Sequence, residues 1–370
     1  MKKYWYIWLI AALTALFCIL GIFVFKGKAQ PDPCIELWYS AAQIDGSAVE
    51  KLVASYDTQR REGSMAVQAV EFSTEEELAQ AMELRRPALL LCSYSRAASL
   101  GSRGLLPTGS QMSRDYKEPI PSLMPFAGSS FFPLGGSVPL LACQPEAAAP
   151  ASAQELLELC QIYQEQNELP ALSSVSPVCS LLDSWSAALG YEMKGELELD
   201  AMSTRFRQSY DLLAQAAKSG AFLPPCADSA ALFSAGKLPY AFLPSSLCTA
   251  LPDAVQLCPL PLPEGSAPAC TPDVLGIALM NGDSLSLGQS QAFIAFVLEQ
   301  LEEGLALDMG LVPLSKSFAA PSEEDLGSLE SLLLELRDTD RLLIHSCSDH
   351  LKIYEGQLEK RITKLLLGLY

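Results

Sequence analysis

The chain has 370 residues, of which 49% are hydrophobic and 18% charged. That is length for about two domains, with enough apolar content for a large core, and it excludes global disorder. The net charge of −18 argues against nucleic acid, whose phosphates need Lys and Arg to displace counterions, and against a face resting on anionic lipid. It does not make the ligand a cation, because an acidic balance also aids solubility.

The N-terminus carries the strongest single signal. Lys2 and Lys3 precede an uncharged apolar run, residues 4–25, closed by Lys26 and Lys28. The run has about membrane-spanning length. It outlasts the apolar region of a signal peptide, usually about 7–15 residues, and reads as an uncleaved single-pass anchor. Gly27 and Ala29 leave open a cut before Gln30. Lysines are balanced across the run, so the positive-inside rule does not orient it. Export of the large C-terminal part is the default, and no second run is long enough to span.

After a stiff spacer, Gln30 to Pro33, residues 34–39 read as the first strand. Val49, Leu52, Val53 and Tyr56 then recur at helical spacing. Residues 65–72 form a second strand. Ser73 with Glu76, and Thr74 with Glu77, offer overlapping capping boxes for a helix to about Leu84. Residues 88–92 are an unbroken apolar run, as in a strand buried on both faces, followed by Ser93, Tyr94, Ser95 and a short helical turn. The order β-α-β-α-β argues for a parallel sheet covered by helices.

Further on, residues 138–143 read as a strand and residues 144–151 as a connector. Ser152 and Glu155 cap a helix with Leu156, Leu159, Cys160 and Tyr163 on one face. Helices are expected around Trp185 and over 205–218, and a strand over 238–243. Residues 251–271 are proline-rich and irregular. Residues 274–280 are a strand. Ser286 and Gln289 can cap the next helix, whose stripe is Phe293, Phe296, Val297 and Leu301. Two Leu-rich helical segments close the chain, one from Ser322 and one near the C-terminus.

Catalytic motifs are missing. There is no GxSxG elbow, no phosphate-cradling Gly loop and no HExxH. Carboxylates are scattered, mostly on helix faces. Outside the apolar run lie ten cysteines, an even number that permits disulfides in an exported domain. Cys92, Cys143 and Cys160 sit in apolar patterns where free Cys also packs as a small hydrophobe. There is no CxxC, and His345 and His350 are five apart without partner ligands, which argues against a metal site. No cofactor is expected.

Several features in fixed order resemble the extracellular solute-binding proteins of ABC importers, the group that includes sugar binders. The first strand ends in Trp38-Tyr39 and precedes a helix. A capped helix leads to a Pro-apolar strand and to Gly-Leu-Leu-Pro, ending at Pro107. A Phe-Pro-Leu, Phe132 to Leu134, precedes the strand 138–143. Phe233 to Lys237 matches F-x-x-G-K before a strand, and Gly310-Leu-Val-Pro313 matches the late connector. The likeness covers about residues 35–320. It departs at Ala142-Cys143-Gln144, where relatives carry Tyr-Asn. It departs again at Pro244-Ser245-Ser246, where a tryptophan is common, and in having an apolar run in place of a lipid-anchored cysteine.

The resemblance implies an α/β, two-lobed, periplasmic-binding-protein-like (type II) fold behind an N-terminal transmembrane helix. It divides the chain into an anchor or signal segment at 1–29, a lobe 1 at 30–143 plus about 274–312, and a lobe 2 at 144–273 plus about 313–370. Crossings are expected near 143–151, 268–274 and 310–316. The mechanism implied is capture without chemistry. A small solute, a carbohydrate, fills the interlobe cleft, favours closure, and is delivered to an ABC permease. The domain lies on the extracellular side. The expected ligand-binding residues are Trp38, Tyr39, Ser93, Tyr94, Phe131, Phe132, Asp183, Trp185 and Tyr240. Trp38 and Trp185, one from each lobe, would suit a clamp. Core packing competes with that role, since Trp is usually largely buried, and it leads for Phe131 and Phe132. A membrane-tethered sensor or interaction protein on the same fold is the alternative reading. An exported hydrolase would need clustered acids or a nucleophile–base pair.

Overall fold

The computed structural model describes residues 34–107, 129–175, 178–190, 204–223, 229–267, 269, 271–282, 284–322, 326–338 and 364, with the backbone alone at 178–180, 183, 204–207 and 284. The apolar run at 4–25 and the last helical segment, Lys364 apart, lie outside these residues. Among the described residues no helix is long and apolar enough to cross a membrane.

Two five-stranded mixed sheets organise the chain. The first contains β1 (Cys34–Ser40), β2 (Ala66–Phe72), β3 (Leu89–Ser93), β4 (Phe131–Ser137) and β10 (Asp273–Leu279), in the order β2-β1-β3-β10-β4. The second contains β5 (Pro139–Cys143), β6 (Leu172–Ser174), β7 (Phe222–Leu223), β8 (Tyr240–Pro244) and β9 (Gln256–Pro259), in the order β7-β6-β8-β5-β9. In each sheet three neighbouring strands run parallel, and the fourth strand, β10 or β5, is antiparallel to both its neighbours. That fourth strand starts at the crossing between the lobes, where its parallel-running neighbours end, so its direction is opposite: Asp273 pairs with Ser137 and Pro139 with Pro244. The parallel arrangement expected from the first three strands is present in β2-β1-β3, to which the antiparallel β10 is added.

Helices cover both faces of both sheets. Lobe 1 carries α1 (Gly46–Gln59), α2 (Glu75–Leu84) and α3 (Tyr94–Ser102). Lobe 2 carries α4 (Ala153–Asn167), α5 (Val178–Ala188), α6 (Thr204–Lys218), α7 (Ser229–Ser234) and the single turn α8 (Ser245–Cys248). The chain then returns through α9 (Ser284–Glu303), α10 (Leu305–Asp308) and α11 (Ser328–Arg337). In β3 every residue is buried. Leu89 and Leu91 join the core under α1 and α9, while Leu90 and Cys92 join the core under α2 and α3. Strand alternation between two covered faces produces that split.

Local signals act where the sequence places them. Thr74 Oγ1 accepts from Glu77 N–H, and Glu77 reaches back to Ser73 N–H at 3.0 Å. At the start of α4, Ser152 Oγ accepts from Glu155 N–H at 3.1 Å, and Glu155 Oε2 reaches back to accept from Ala151 N–H at 2.6 Å. Gln289 caps nothing: its Oε1 accepts from Met65 N–H, 224 positions away, tying α9 to the entry of β2.

The crossing between lobes lies between β4 and β5, not after Cys143. Residues 138–143 were expected in lobe 1, but β5 pairs only with β8 and β9 of the second sheet. Gly135 and Gly136 make this crossing possible. A Cβ on Gly135 would meet Val312 O at 2.9 Å, and one on Gly136 would collide with Pro272. Gly136 and Val312 exchange backbone hydrogen bonds of 2.9 and 2.8 Å. The three crossing segments therefore touch one another at Gly136, Pro272 and Val312.

Candidate functional site

In α/β sheets a ligand is met beyond the carboxyl ends of the parallel strands. At the end of β1, Tyr39 and Ser40 lead into the loop 41–45. At the end of β2 stands Glu71. The Tyr39 hydroxyl donates to Glu71 Oε2 at 2.8 Å, joining the two strand ends. Burial, the Glu71 bond and the charges of Glu71, Glu50 and Asp45 all raise the Tyr39 pKa well above the ordinary phenol range. Gly46 leaves room for the pair, since a Cβ there would fall 2.9 Å from Tyr39 Oη and collide with Glu71 Oε2.

Asp45 caps α1. Its Oδ1 accepts from Ser47 N–H at 3.1 Å, and its Oδ2 accepts from the Ser47 hydroxyl at 2.5 Å. It also faces the other lobe: Thr249 Oγ1 donates to Oδ2 at 3.1 Å, and Asp45 N–H donates to Ser246 O at 3.0 Å. Ser246 Oγ donates to Gln43 O at 2.6 Å. Its single proton is thus committed, so at the 2.9 Å contact with Ser137 it is the acceptor. Ser245 and Val138 bond each other through Val138 N–H to Ser245 Oγ, 3.1 Å, and Ser245 N–H to Val138 O, 2.8 Å. Ser245 and Ser246, buried at the start of α8, connect the crossing to the β1–α1 loop.

Beside this contact lies an interlobe cavity of about 470 Å³. Its lobe 1 wall includes Ala41, Asp45, Gly46, Glu50 and Glu71, and its lobe 2 wall includes Phe233, Leu243, Leu247 and Leu251. Among the described residues the lining contains no basic side chain. One wall is therefore rich in hydrogen-bond acceptors and the other is apolar. A larger cavity of about 630 Å³ lies on the other flank of α1, against Lys51, Asp253, Asp308 and Glu330. Asp308 has a raised pKa, from burial first and Glu330 next, against a lowering by Lys51. That cavity is away from the strand ends.

The aromatic residues expected at the site are packed inside the lobes. Trp38 is 1% exposed, with its ring 5.0 Å from Phe72 and its Nε1 donating to Glu36 Oε2 at 2.8 Å. Trp185 is 0% exposed and donates to Pro261 O at 2.8 Å. They belong to separate cores and do not form a clamp across the cleft. Phe131 and Phe132 lie on opposite faces of β4 in the two lobe 1 cores, and Tyr94 packs edge-on against Phe131 at 5.3 Å. Tyr240 is buried in lobe 2, its hydroxyl donating to Ala148 O at 2.9 Å. Ser93 is nearly buried, 2.9 Å from Ser95 Oγ. Asp183 falls in α5, and its side chain lies outside the described residues. For Trp38, Phe131, Phe132 and Tyr240 the reason is that both sheets are covered on both faces, so strand aromatics turn into a core whichever way they point. Tyr94 and Trp185 lie on the sheet-facing sides of α3 and α5. Among the described side chains of this set, only Tyr39 reaches the cavity wall, through Glu71.

Asp45, Glu50 and Glu71 are the residues that sequence reasoning passed over, as ordinary helix and surface charge. The rule that singled out Ser93 after β3 applies equally to the ends of β1 and β2, and it would have found Asp45 and Glu71.

No protein-family model matches the sequence, and no curated protein matches it. Solved structures do. The GacH receptor of Streptomyces glaucescens, studied with acarbose, has a TM-score of 0.72 at 13% identity, over 91% of this chain and 94% of that one. An ABC substrate-binding protein of Listeria monocytogenes in complex with cycloalternan gives 0.68 at 13% identity, over 91% and 94%. UgpB of Mycobacterium tuberculosis in complex with glycerophosphocholine gives 0.68 at 17% identity, over 91% and 96%. The chain therefore has the two-lobed α/β fold of the solute-binding proteins of ABC importers, across nearly its whole length.

Proposed function

We propose that this protein captures a small solute, a carbohydrate, between its lobes and presents it to an ABC permease without transforming it. The observation that carries the reading is the two-sided chemistry of the 470 Å³ cavity at the ends of β1 and β2. Sugar hydroxyls are donors, and Asp45, Glu50 and Glu71 supply acceptors for them. A sugar's C–H face is apolar and meets Leu247, Leu251 and their neighbours. Once a bound solute encloses these acceptors, one left without its donor costs roughly 1–3 kcal/mol, which is how such a wall would discriminate among solutes. Contacts to both lobes favour the closed state, since a ligand shifts an equilibrium by its differential affinity. The run at 4–25 holds the protein to the membrane, with the lobes on the extracellular side.

The test is a thermal-shift screen of the full-length protein against mono- and oligosaccharides, glycerophosphodiesters, amino acids and amines. A saturable rise in Tm with a sugar is expected, lost in Glu71→Gln. Solute at 100 times its Kd stabilises by about 2.7 kcal/mol. No rise with any sugar would overturn the carbohydrate assignment.

A second reading, a membrane-tethered sensor or interaction protein, is favoured by one observation. The lobes bond each other directly through Ser246 to Gln43 and Thr249 to Asp45, so closure does not depend wholly on solute. It predicts a compact particle whose scattering radius no solute changes.

A further inference from the structure

Three thiols meet in the core of lobe 2. Leu141, Cys143 and Cys160 belong to one buried cluster, and Cys258 packs against it. In the register of β5 and β9, Leu141 stands opposite Cys258 and Cys143 opposite Gln256. Ala142, Leu140 and Leu257 turn to the opposite face and join a different core. Cys143 and Cys258 are thus diagonal neighbours on one face of an antiparallel pair, about 7–8 Å apart in regular geometry, so their thiols meet but a disulfide between them must draw the β9 edge inward. Cys160 approaches the same face from α4.

Their surroundings differ. Cys143 and Cys160 are wholly buried. Cys258 is half-buried, on a strand that pairs with β5 alone and so forms an edge of the second sheet. We propose that Cys143 and Cys258 are a redox-active pair that closes into a disulfide, stapling the β9 edge to β5. In sequence the pair encloses most of lobe 2, since β5 follows one crossing and β9 precedes the next, while in space the two strands are neighbours at one edge of the sheet.

The chemistry is thiol–disulfide exchange with a small disulfide as oxidant. The Cys258 thiolate attacks a sulfur of oxidised glutathione, forming a mixed disulfide and expelling one glutathione thiolate. Cys143 then loses its proton, its thiolate attacks Cys258 Sγ, and the second glutathione leaves as thiolate. Two protein thiols are oxidised, one glutathione disulfide is reduced to two thiols, and the two protons end on glutathione. Order follows access, because Cys258 alone of the pair reaches the surface. Cys143 thiol lies within hydrogen-bonding reach of Cys258 and is pushed up to about 12 by burial first, then by Cys258. The second step should therefore quicken as pH rises.

The experiment uses the full chain, purified reduced and then treated with oxidised glutathione. Peptide mapping without reductant should recover a Cys143–Cys258 cross-link, with Tm raised by several degrees and restored by dithiothreitol. Cys160→Ser should leave both effects intact, while Cys258→Ser, a change at the surface edge, should abolish both. Amide exchange across 256–259 should slow in the oxidised form. A cross-link from Cys143 to Cys160 would overturn the proposal. So would a natively circular-dichroic protein in which Cys143 and Cys258 stay separately alkylatable after denaturation.

Discussion

Ser246 Oγ donates to the carbonyl of Gln43 at 2.6 Å, and Ser246 also bonds Ser137. One side chain of lobe 2 thereby joins the lobe 1 loop to the crossing strand. Each neutral hydrogen bond nets about 1 kcal/mol, and 1.4 kcal/mol is tenfold in an equilibrium. Ser246→Ala should shift the closed-to-open ratio about five- to tenfold toward open. Small-angle scattering should show a larger radius of gyration, with little loss of melting temperature. An unchanged radius would mean that the contact does not hold the lobes.

Gly46 sits where two effects oppose each other. Alanine in a helix is better than glycine by about 0.5–1 kcal/mol. A Cβ there meets the far end of Glu71, which can swing aside, and the hydroxyl of buried Tyr39, which cannot. The Tyr39–Glu71 bond is the part that yields. Gly46→Ala should leave Tm within about 2 °C of wild type while markedly reducing the Tm rise given by a bound solute. Equal solute response in both proteins would remove Glu71 from the site.

Much of the fold was legible because it rests on local, periodic signals. Val49, Leu52, Val53 and Tyr56 are all buried, as their spacing requires. The Thr74 and Ser152 caps form. Strand β9 was missed because its four residues lie in a proline-rich stretch, and an edge strand tolerates Pro259. The aromatic site was misread for a different reason. Period-two alternation says that Trp38 and Tyr39 face opposite ways, but not that both ways lead into a core. That depends on helices covering both faces of the sheet, which is a tertiary fact.

Trp185 gives the sharpest contrast between the two roles. Its indole Nε1 donates to Pro261 O inside lobe 2. Trp185→Phe keeps most of the ring volume but strands that carbonyl, at about 1–3 kcal/mol. At about 2–4 °C per kcal/mol for a domain of this size, Tm should fall by roughly 2–12 °C. Solute affinity measured by calorimetry should stay within about twofold. A large loss of affinity with unchanged Tm would return Trp185 to the cleft.

Stability should fall on the alkaline side, and the sign follows from the buried acids. Cys143 and Cys248 are raised from 9.0 to about 12, each by burial first. Tyr240 is raised from 10.0 to about 12, by burial and then by Cys160 and Cys143. Between pH 9 and 12 the unfolded chain gives up these protons while the folded chain keeps them. The unfolded state then binds fewer protons, so unfolding free energy decreases with pH. Their contribution is complete below pH 9 and is progressively lost above it. Urea midpoints should be flat from pH 7 to 8.5 and decline from there to pH 11. Cys143→Ala should shallow the decline, because it removes one of the withheld protons. If Cys143 and Cys258 are joined, oxidation should shallow it as well, and reduction should restore the full slope. A midpoint that rises with pH across this window would contradict the burial of these groups.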